Sequence, residues 1–306
     1  MNCPPCHSDN NMRKWGGPAN HSIKSVAGIR LKSALLPFFL YKCHDCGFIL
    51  KNPQIQSNEL RECYRVSSDR VDLSSATPVS PRSLWIKLEN LAKKYSPGRR
   101  ILDVGCSNGA MLSTWDRSWA KYGVEPSAMA SRCADKRGIN VLAETIEQVY
   151  ASSKFDCIIS VDVIEHISRP LEWMASVVEH LSARGVVIIA TGNMEYHLAR
   201  IARSNYWYAS FAEHVSFFSR RSLSHLASAV GGEVVDSLEY SFGGDLSPMI
   251  SSYVQACKFM LAVTPKAISS AFAPWSALSL RNYPVLTSLP DHLAVVIANS
   301  PERSWG

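Results

Sequence analysis

Ile101-Leu102-Asp103-Val104-Gly105-Cys106-Ser107-Asn108-Gly109 is the stretch from which the fold of this chain is read. Ile101 to Val104 follows the charged pair Arg99-Arg100 and predicts a short buried parallel strand. Gly105 and Gly109 bracket a tight loop, and Ala110-Met111-Leu112 opens an apolar-periodic helix. A strand, a glycine-bounded turn and a helix N-terminus in succession predict a nucleotide-binding corner. The spacing narrows what that corner accepts. A dinucleotide fingerprint needs Gly-x-Gly-x-x-Gly. Here Ser107 stands two residues after Gly105, and Asp103 two before it. A carboxylate in that place disfavours a pyrophosphate and favours a cationic or hydroxyl-bearing ligand.

On both sides of this corner the chain alternates strands and helices. A helix is predicted over 81–95, with Leu84, Trp85, Leu88 and Leu91 at helical spacing, and it ends before Pro97-Gly98. Further strands are predicted over 121–125, 139–142, 155–161 and 185–191, with a helix over 170–182. Strands at 233–240 and 291–298 complete seven. This alternation predicts an α/β fold, a doubly wound, Rossmann-like parallel sheet. Between the last two strands lies an insertion, 243–290, with Met249, Tyr253, Cys257, Met260 and Leu261 at helical spacing. Such an apolar segment can cap a site, pack a dimer or rest on a membrane surface.

The N-terminal part carries different chemistry. Cys3-Pro-Pro-Cys6 and Cys43-His-Asp-Cys46 are two Cys-x-x-Cys knuckles. Four thiolates from two such turns predict a tetrahedral zinc site that is structural, because no coordination position is left open. His7 and His44 flank the knuckles as weaker alternatives. A redox role is disfavoured, since neither pair sits in a thioredoxin-like βαβ setting. The predicted organisation is a zinc ribbon over 1–56, a helix and linker over 57–80, and an α/β domain over 81–306. With 46% hydrophobic and 19% charged residues the chain can fill a sizeable core. A net charge of +6 permits an anionic ligand without requiring one. The sequence shows no apolar signal run at its start and no uninterrupted span of membrane length, so the expectation is a reducing, cytoplasmic setting.

The corner resembles motif I of the class I S-adenosylmethionine-dependent methyltransferases, hydrophobic-Leu-Asp-x-Gly-Cys-Gly-x-Gly, with Ser107 in place of the middle glycine. The resemblance implies a last strand running antiparallel. It also implies a cofactor site built from Asp103, Gly105, Cys106 and Gly109, with Glu125 and Pro126 ending the second strand and Glu144 following the third. Phe155-Asp156 to Glu165-His166 resembles the family's fourth strand and turn, which adds Val161 and Asp162 at its carboxyl end. Glu165 and His166 themselves read as helix-start residues.

The Cys-x-x-Cys-Gly knuckle, the Asn52-Pro53 turn and the helix carrying Tyr64 resemble the sugar C-methyltransferases. So does Phe211-Ala-Glu213-His214-Val-Ser-Phe-Phe-Ser219, with Phe211 where that family has Tyr. This implies His214 as the base, oriented by Glu213, with Tyr64 as a further acceptor contact. Glu213 would raise the pKa of His214, and burial among Phe211, Phe217 and Phe218 would lower it.

The implied function is methyl transfer to a small molecule, a nucleotide-linked sugar or a precursor of a polysaccharide or secondary metabolite. An RNA base methyltransferase is the alternative, against which stands the lack of a Lys/Arg stripe on the ribbon. A non-catalytic scaffold is the second alternative, and the intact Asp103, Gly105, Gly109 and Glu125 argue against it.

Overall fold

A computed structural model describes residues 3–6, 8, 11–21, 25–26, 29–31, 33–55, 57–66, 79, 82–241 and 290–299. The 243–289 part of the insertion, His7 and most of the 67–80 linker lie outside the described residues. The main sheet has seven strands: β1 (Arg100–Val104), β2 (Ala120–Val124), β3 (Asn140–Ala143), β4 (Phe155–Val161), β5 (Leu181–Gly192), β6 (Gly232–Tyr240) and β7 (His292–Asn299). Their spatial order is β6-β7-β5-β4-β1-β2-β3. Strand β7 runs antiparallel to both β5 and β6, whereas β1 to β5 pair parallel.

Strands buried on both faces explain why β1, β4 and β5 read as continuous apolar runs. Successive side chains of a strand point to opposite faces. Leu102, Val104, Ile158, Val187 and Ile189 pack into one core, and Ile101, Cys157, Ile159, Val186 and Ile188 into the other. The helix Ser83–Tyr95 covers the second core with Leu88 and Ala92. The helices Pro170–Val178 and Arg220–Ala229 cover the first.

One boundary moves. The helix expected over 170–182 stops at Val178, and β5 already begins at Leu181. The buried Leu181 pairs with Phe155, and the register then shifts before Val186. The Ser182-Ala183-Arg184 excursion permits this because Gly185 passes the Phe155 carbonyl at a distance no Cβ would tolerate.

The N-terminal segment forms a separate sheet, Met12–Ala19, Phe38–Cys43 and Ile49–Asn52, completed by Ser216–Phe217 from between β5 and β6. Ser216 pairs with Leu50 and Phe217 with Ile49. Phe48 and Leu50 share a core with Phe218, Leu223 and Leu226. The ribbon is thereby locked to the segment that carries Glu213 and His214. Among the described residues no helix is long and apolar enough to cross a membrane.

Candidate active site

The corner after β1 takes the shape its glycines demand. Gly105 has φ +86, and a Cβ there would lie 2.4 Å from Val163 Cγ2. The loop after β1 therefore touches the turn after β4. Gly109 has φ +73 and passes the Ala134 Cα so closely that a Cβ would sit 2.9 Å away. Ser107, the departure from the glycine pattern, also sits in the left-handed region at φ +50. Its backbone N–H donates to Glu125 Oε2 at 2.9 Å, and the Ser127 N–H donates to Oε1 at 2.8 Å. Each carboxylate oxygen keeps a further lone pair.

Asp103 lies inside β1, 3% exposed. Burial first, and then the charge of Glu125, push its pKa up to about 8. Burial also raises Glu125, against the two backbone N–H donors that lower it. A folded pKa above the unfolded one means that the group's contribution to stability is complete below about pH 4 and is lost as pH rises towards about 8. Asp103→Asn cannot ionise. Its unfolding free energy in urea should therefore gain on wild type between about pH 5 and about pH 8.5. Parallel pH profiles for the two proteins would show that Asp103 is not held protonated.

The other corner residues occupy less uniform places. Cys106 is buried, with its Sγ against Gly123, and burial raises its thiol pKa. Pro126 is half-buried beyond β2. Glu144 is exposed beyond β3, its N–H donating to Gln148 Oε1. At the end of β4 Val161 is half-buried, and Asp162 has φ +53. The Asp162 Oδ1 is buried and has no hydrogen-bond partner among the described residues. Burial first, then Glu165, raise the Asp162 pKa to about 7.

A second cluster lies beyond the Val163 contact. The turn Ile164–His166 meets the aromatic segment that follows β5. Glu165 is 1% exposed, and its carboxylate accepts from the Tyr208 hydroxyl at 2.7 Å and the Thr191 hydroxyl at 2.9 Å. His214 Nδ1 bonds the Tyr208 carbonyl at 2.8 Å. The Phe211 ring stacks on His214, with centroids 5.0 Å apart. His166 Nδ1 lies 3.1 Å from the Glu213 carbonyl and 3.0 Å from the Tyr64 hydroxyl. The two imidazole centroids are 4.9 Å apart.

The structure thus brings Tyr64, Glu213 and His214 together, although they are far apart in sequence. It differs from expectation on what orients His214: the Tyr208 carbonyl holds the ring, and Glu213 does not. Glu213 contributes its backbone carbonyl to His166, while its buried Oε2 has no partner among the described residues. Burial also decides the His214 pKa, which falls well below the usual histidine range. The neighbouring His166 and Lys51 lower it further, against the Tyr208 carbonyl.

Four participants escape the sequence reading. Lys51 is fully buried, donates to the Phe211 carbonyl at 2.5 Å and lies over the Phe38 ring. Burial lowers its pKa to about 7, against the attraction of Glu213. A lysine in a strand has no sequence signal for such a place. Tyr208 was hidden within an aromatic run. Glu165 and His166 stand in plain view but read as helix-start residues from the sequence. The signal that could have found them is their position just after the carboxyl end of a central strand.

At the N-terminus the four cysteines converge. Cys3 and Cys46 Sγ lie 3.5 Å apart, and Cys6 and Cys43 Sγ 3.7 Å apart. All four Sγ atoms fall within 4.8 Å of one another. His44 is exposed and outside the quartet. Donation from Cys3 lowers the Cys46 pKa to about 5.

The Methyltransferase domain family model matches residues 82–237, more than half of the chain. The chain belongs to that family. The methyltransferase-domain match begins at the helix before β1 and ends within β6, so it encloses the corner and the Glu165, His166, Glu213 and His214 part of the cluster, with Tyr64 outside it. Among curated proteins, the ubiquinone biosynthesis O-methyltransferase of Rickettsia canadensis is 26% identical over 158 residues, 44% of this chain and 65% of that protein. The protein of the same name from Rhodopseudomonas palustris is 29% identical over 119 residues, 36% of this chain and 47% of that protein. The chain thus spans less than two thirds of the length of these relatives. Among solved structures, a magnesium protoporphyrin IX methyltransferase from Synechocystis has a TM-score of 0.49 and 11% identity, covering 80% of this chain and all of that one.

Proposed function

We propose that this chain is an S-adenosylmethionine-dependent methyltransferase acting on a hydroxyl of a small, sugar-containing molecule. The observation that carries the proposal is the Gly105–Val163 contact, which sets the corner after β1 directly against the Glu165–His166–His214 cluster. The names of the curated relatives support oxygen as the acceptor atom. The resemblance of the Glu213-His214 segment to the sugar C-methyltransferases supports a sugar.

The corner fits the cofactor on two counts. Glu125 has spare lone pairs on both oxygens for ribose hydroxyls, and Asp162 offers a buried oxygen without a partner among the described residues. Asp103, Gly105, Cys106, Gly109, Glu125, Pro126, Glu144, Val161 and Asp162 would hold the cofactor, which when bound supplies a methyl already activated on a sulfonium. The protein's task is then alignment in a site shielded from water. The aromatic segment from Tyr206 to Phe218, buried throughout except for the half-buried Phe211, supplies the shield. His214 is held with Nδ1 protonated, because a carbonyl only accepts. Its Nε2 therefore carries the lone pair that can take the acceptor's proton, and Tyr64 borders the same place through His166.

The cysteine quartet fits a structural Zn2+, with soft thiolates at tetrahedral ligand spacing and no position left for a substrate. Cys3, Cys6, Cys43 and Cys46 would hold it, within a ribbon over 1–56 joined by 57–80 to the domain over 81–306. A screen of nucleotide sugars by mass spectrometry tests the reading. The expected result is a gain of one methyl that requires S-adenosylmethionine. Glu125→Ala should weaken cofactor binding in calorimetry by about 1–3 kcal/mol, the cost of a lost buried partner. A chain that binds no S-adenosylmethionine would end the proposal.

A further inference from the structure

Glu165, His166 and His214 form a second set of potential metal ligands, remote in kind from the thiolates. One donor atom from each falls within 4.8 Å of the other two. A backbone carbonyl faces one nitrogen of each ring. His214 Nδ1 lies 2.8 Å from the Tyr208 carbonyl, and His166 Nδ1 lies 3.1 Å from the Glu213 carbonyl and 3.0 Å from the Tyr64 hydroxyl. A carbonyl accepts and cannot donate, so His214 Nδ1 carries the proton and its Nε2 is left as a lone-pair donor; the Tyr64 hydroxyl can accept, so it is compatible with the same tautomer of His166. A histidine that gives one N–H to a backbone carbonyl and keeps its other nitrogen bare is oriented as metal-binding histidines are.

Glu165 is arranged to match. Its two oxygens are held by the Tyr208 and Thr191 hydroxyls, in the way that ligating carboxylates are held by outer partners. The same Tyr208 thus fixes Glu165 through its hydroxyl and His214 through its carbonyl. No lysine or arginine pairs with Glu165 among the described residues, although it is 1% exposed. A buried carboxylate needs a compensating charge or a full set of donors. Nearby, the Glu213 Oε2 and Asp162 Oδ1 are buried without partners among the described residues. A purely structural carboxylate would explain the two hydroxyls but not two imidazoles that each bring a ring nitrogen within 4.8 Å of it and of each other.

We propose that Glu165, His166 and His214 bind a divalent cation that receives an acceptor oxygen. Imidazole and carboxylate donors suit zinc, manganese or iron, and three protein ligands leave a position open for a further oxygen. His166 is half-buried and is the ligand nearest an approach from solvent. When the cation is present, it and not a bare imidazole meets the acceptor hydroxyl. That role toward an acceptor rests on the methyltransferase reading; the cation binding does not.

The test uses the full chain as purified, with its ribbon metal counted first and loosely held ions removed by gel filtration. Mn2+ is titrated in and followed by electron paramagnetic resonance, and Zn2+ is titrated separately with metal analysis. The expected result is about one further ion per chain for at least one of these probes. His166→Gln and Glu165→Gln should each weaken it more than about tenfold, as the loss of a ligand requires. His166→Gln changes a half-buried side chain, and calorimetry with S-adenosylmethionine on the same samples reports whether the fold is intact. Wild-type protein that takes up neither ion beyond the cysteine quartet overturns the site, as do two folded variants that bind like wild type. A chain that binds S-adenosylmethionine and no further ion loses only the cation site. One that binds the ion and no S-adenosylmethionine loses only the methyltransferase reading.

Discussion

Replacing His214 with alanine is expected to slow single-turnover methyl transfer by about 10²–10⁴-fold, the usual worth of a positioned acid–base group, while S-adenosylmethionine affinity stays unchanged. The separation follows from position. His214 sits among Tyr208, Phe211 and His166, whereas the proposed cofactor residues ring the ends of β1, β2 and β4. The substitution leaves the Tyr208 carbonyl without its donor and removes a ring stacked on Phe211, so some stability is lost as well. His214→Gln controls for this, since its amide can still donate to that carbonyl. A packing role predicts that glutamine restores the rate along with the stability. The proposed role predicts that glutamine restores stability alone. A folded alanine variant with the wild-type rate would remove His214 from the chemistry and leave Tyr64→Phe as the next variant to measure. The loss is expected whether the Nε2 lone pair takes a proton or holds a cation, and the ion titration separates those two.

The other large effect belongs to the ribbon. Cys43→Ser should lower the zinc content by one equivalent per chain. Structural zinc contributes about 10–16 kcal/mol in zinc-finger peptides, so a short ribbon has little to replace it with. The damage should not stop at the metal. Ile49 and Leu50 pair with Phe217 and Ser216, and Lys51 reaches the Phe211 carbonyl from the same strand. Loosening that sheet releases the segment holding Glu213 and His214. Methyl transfer should therefore fall sharply, while calorimetry still detects S-adenosylmethionine at the corner after β1. Fresh, reduced wild-type protein without zinc would refute the ribbon. A zinc-free Cys43→Ser variant with full activity would show that the ribbon does not support the site.

Much of this was legible along the chain. Strand–glycine–helix punctuation marks the corner, because positive φ and close backbone approach admit only glycine at Gly105 and Gly109. Apolar runs mark the buried strands, because two-sided burial leaves no polar alternation. Two short-spaced cysteine pairs mark a ligand quartet, because each turn already brings its own two thiols together. The boundary between 178 and 185 was less legible: apolar periodicity cannot tell a frayed helix from a strand that begins early with an irregular register.

Neighbours along the chain are enough for the order of the elements, the corner after β1, the cysteine pairs and the family. Whatever depends on distant partners is settled by the folded molecule. It turned His214 toward the Tyr208 carbonyl instead of Glu213, and it set the histidine's pKa low through burial, reinforced by His166 and Lys51. It buried Lys51 under Phe211 and placed Glu165 between Thr191 and Tyr208. The physical reason is that hydrogen-bond direction and desolvation are properties of a side chain's surroundings, and those surroundings are supplied by strands and loops that meet only when the chain is folded.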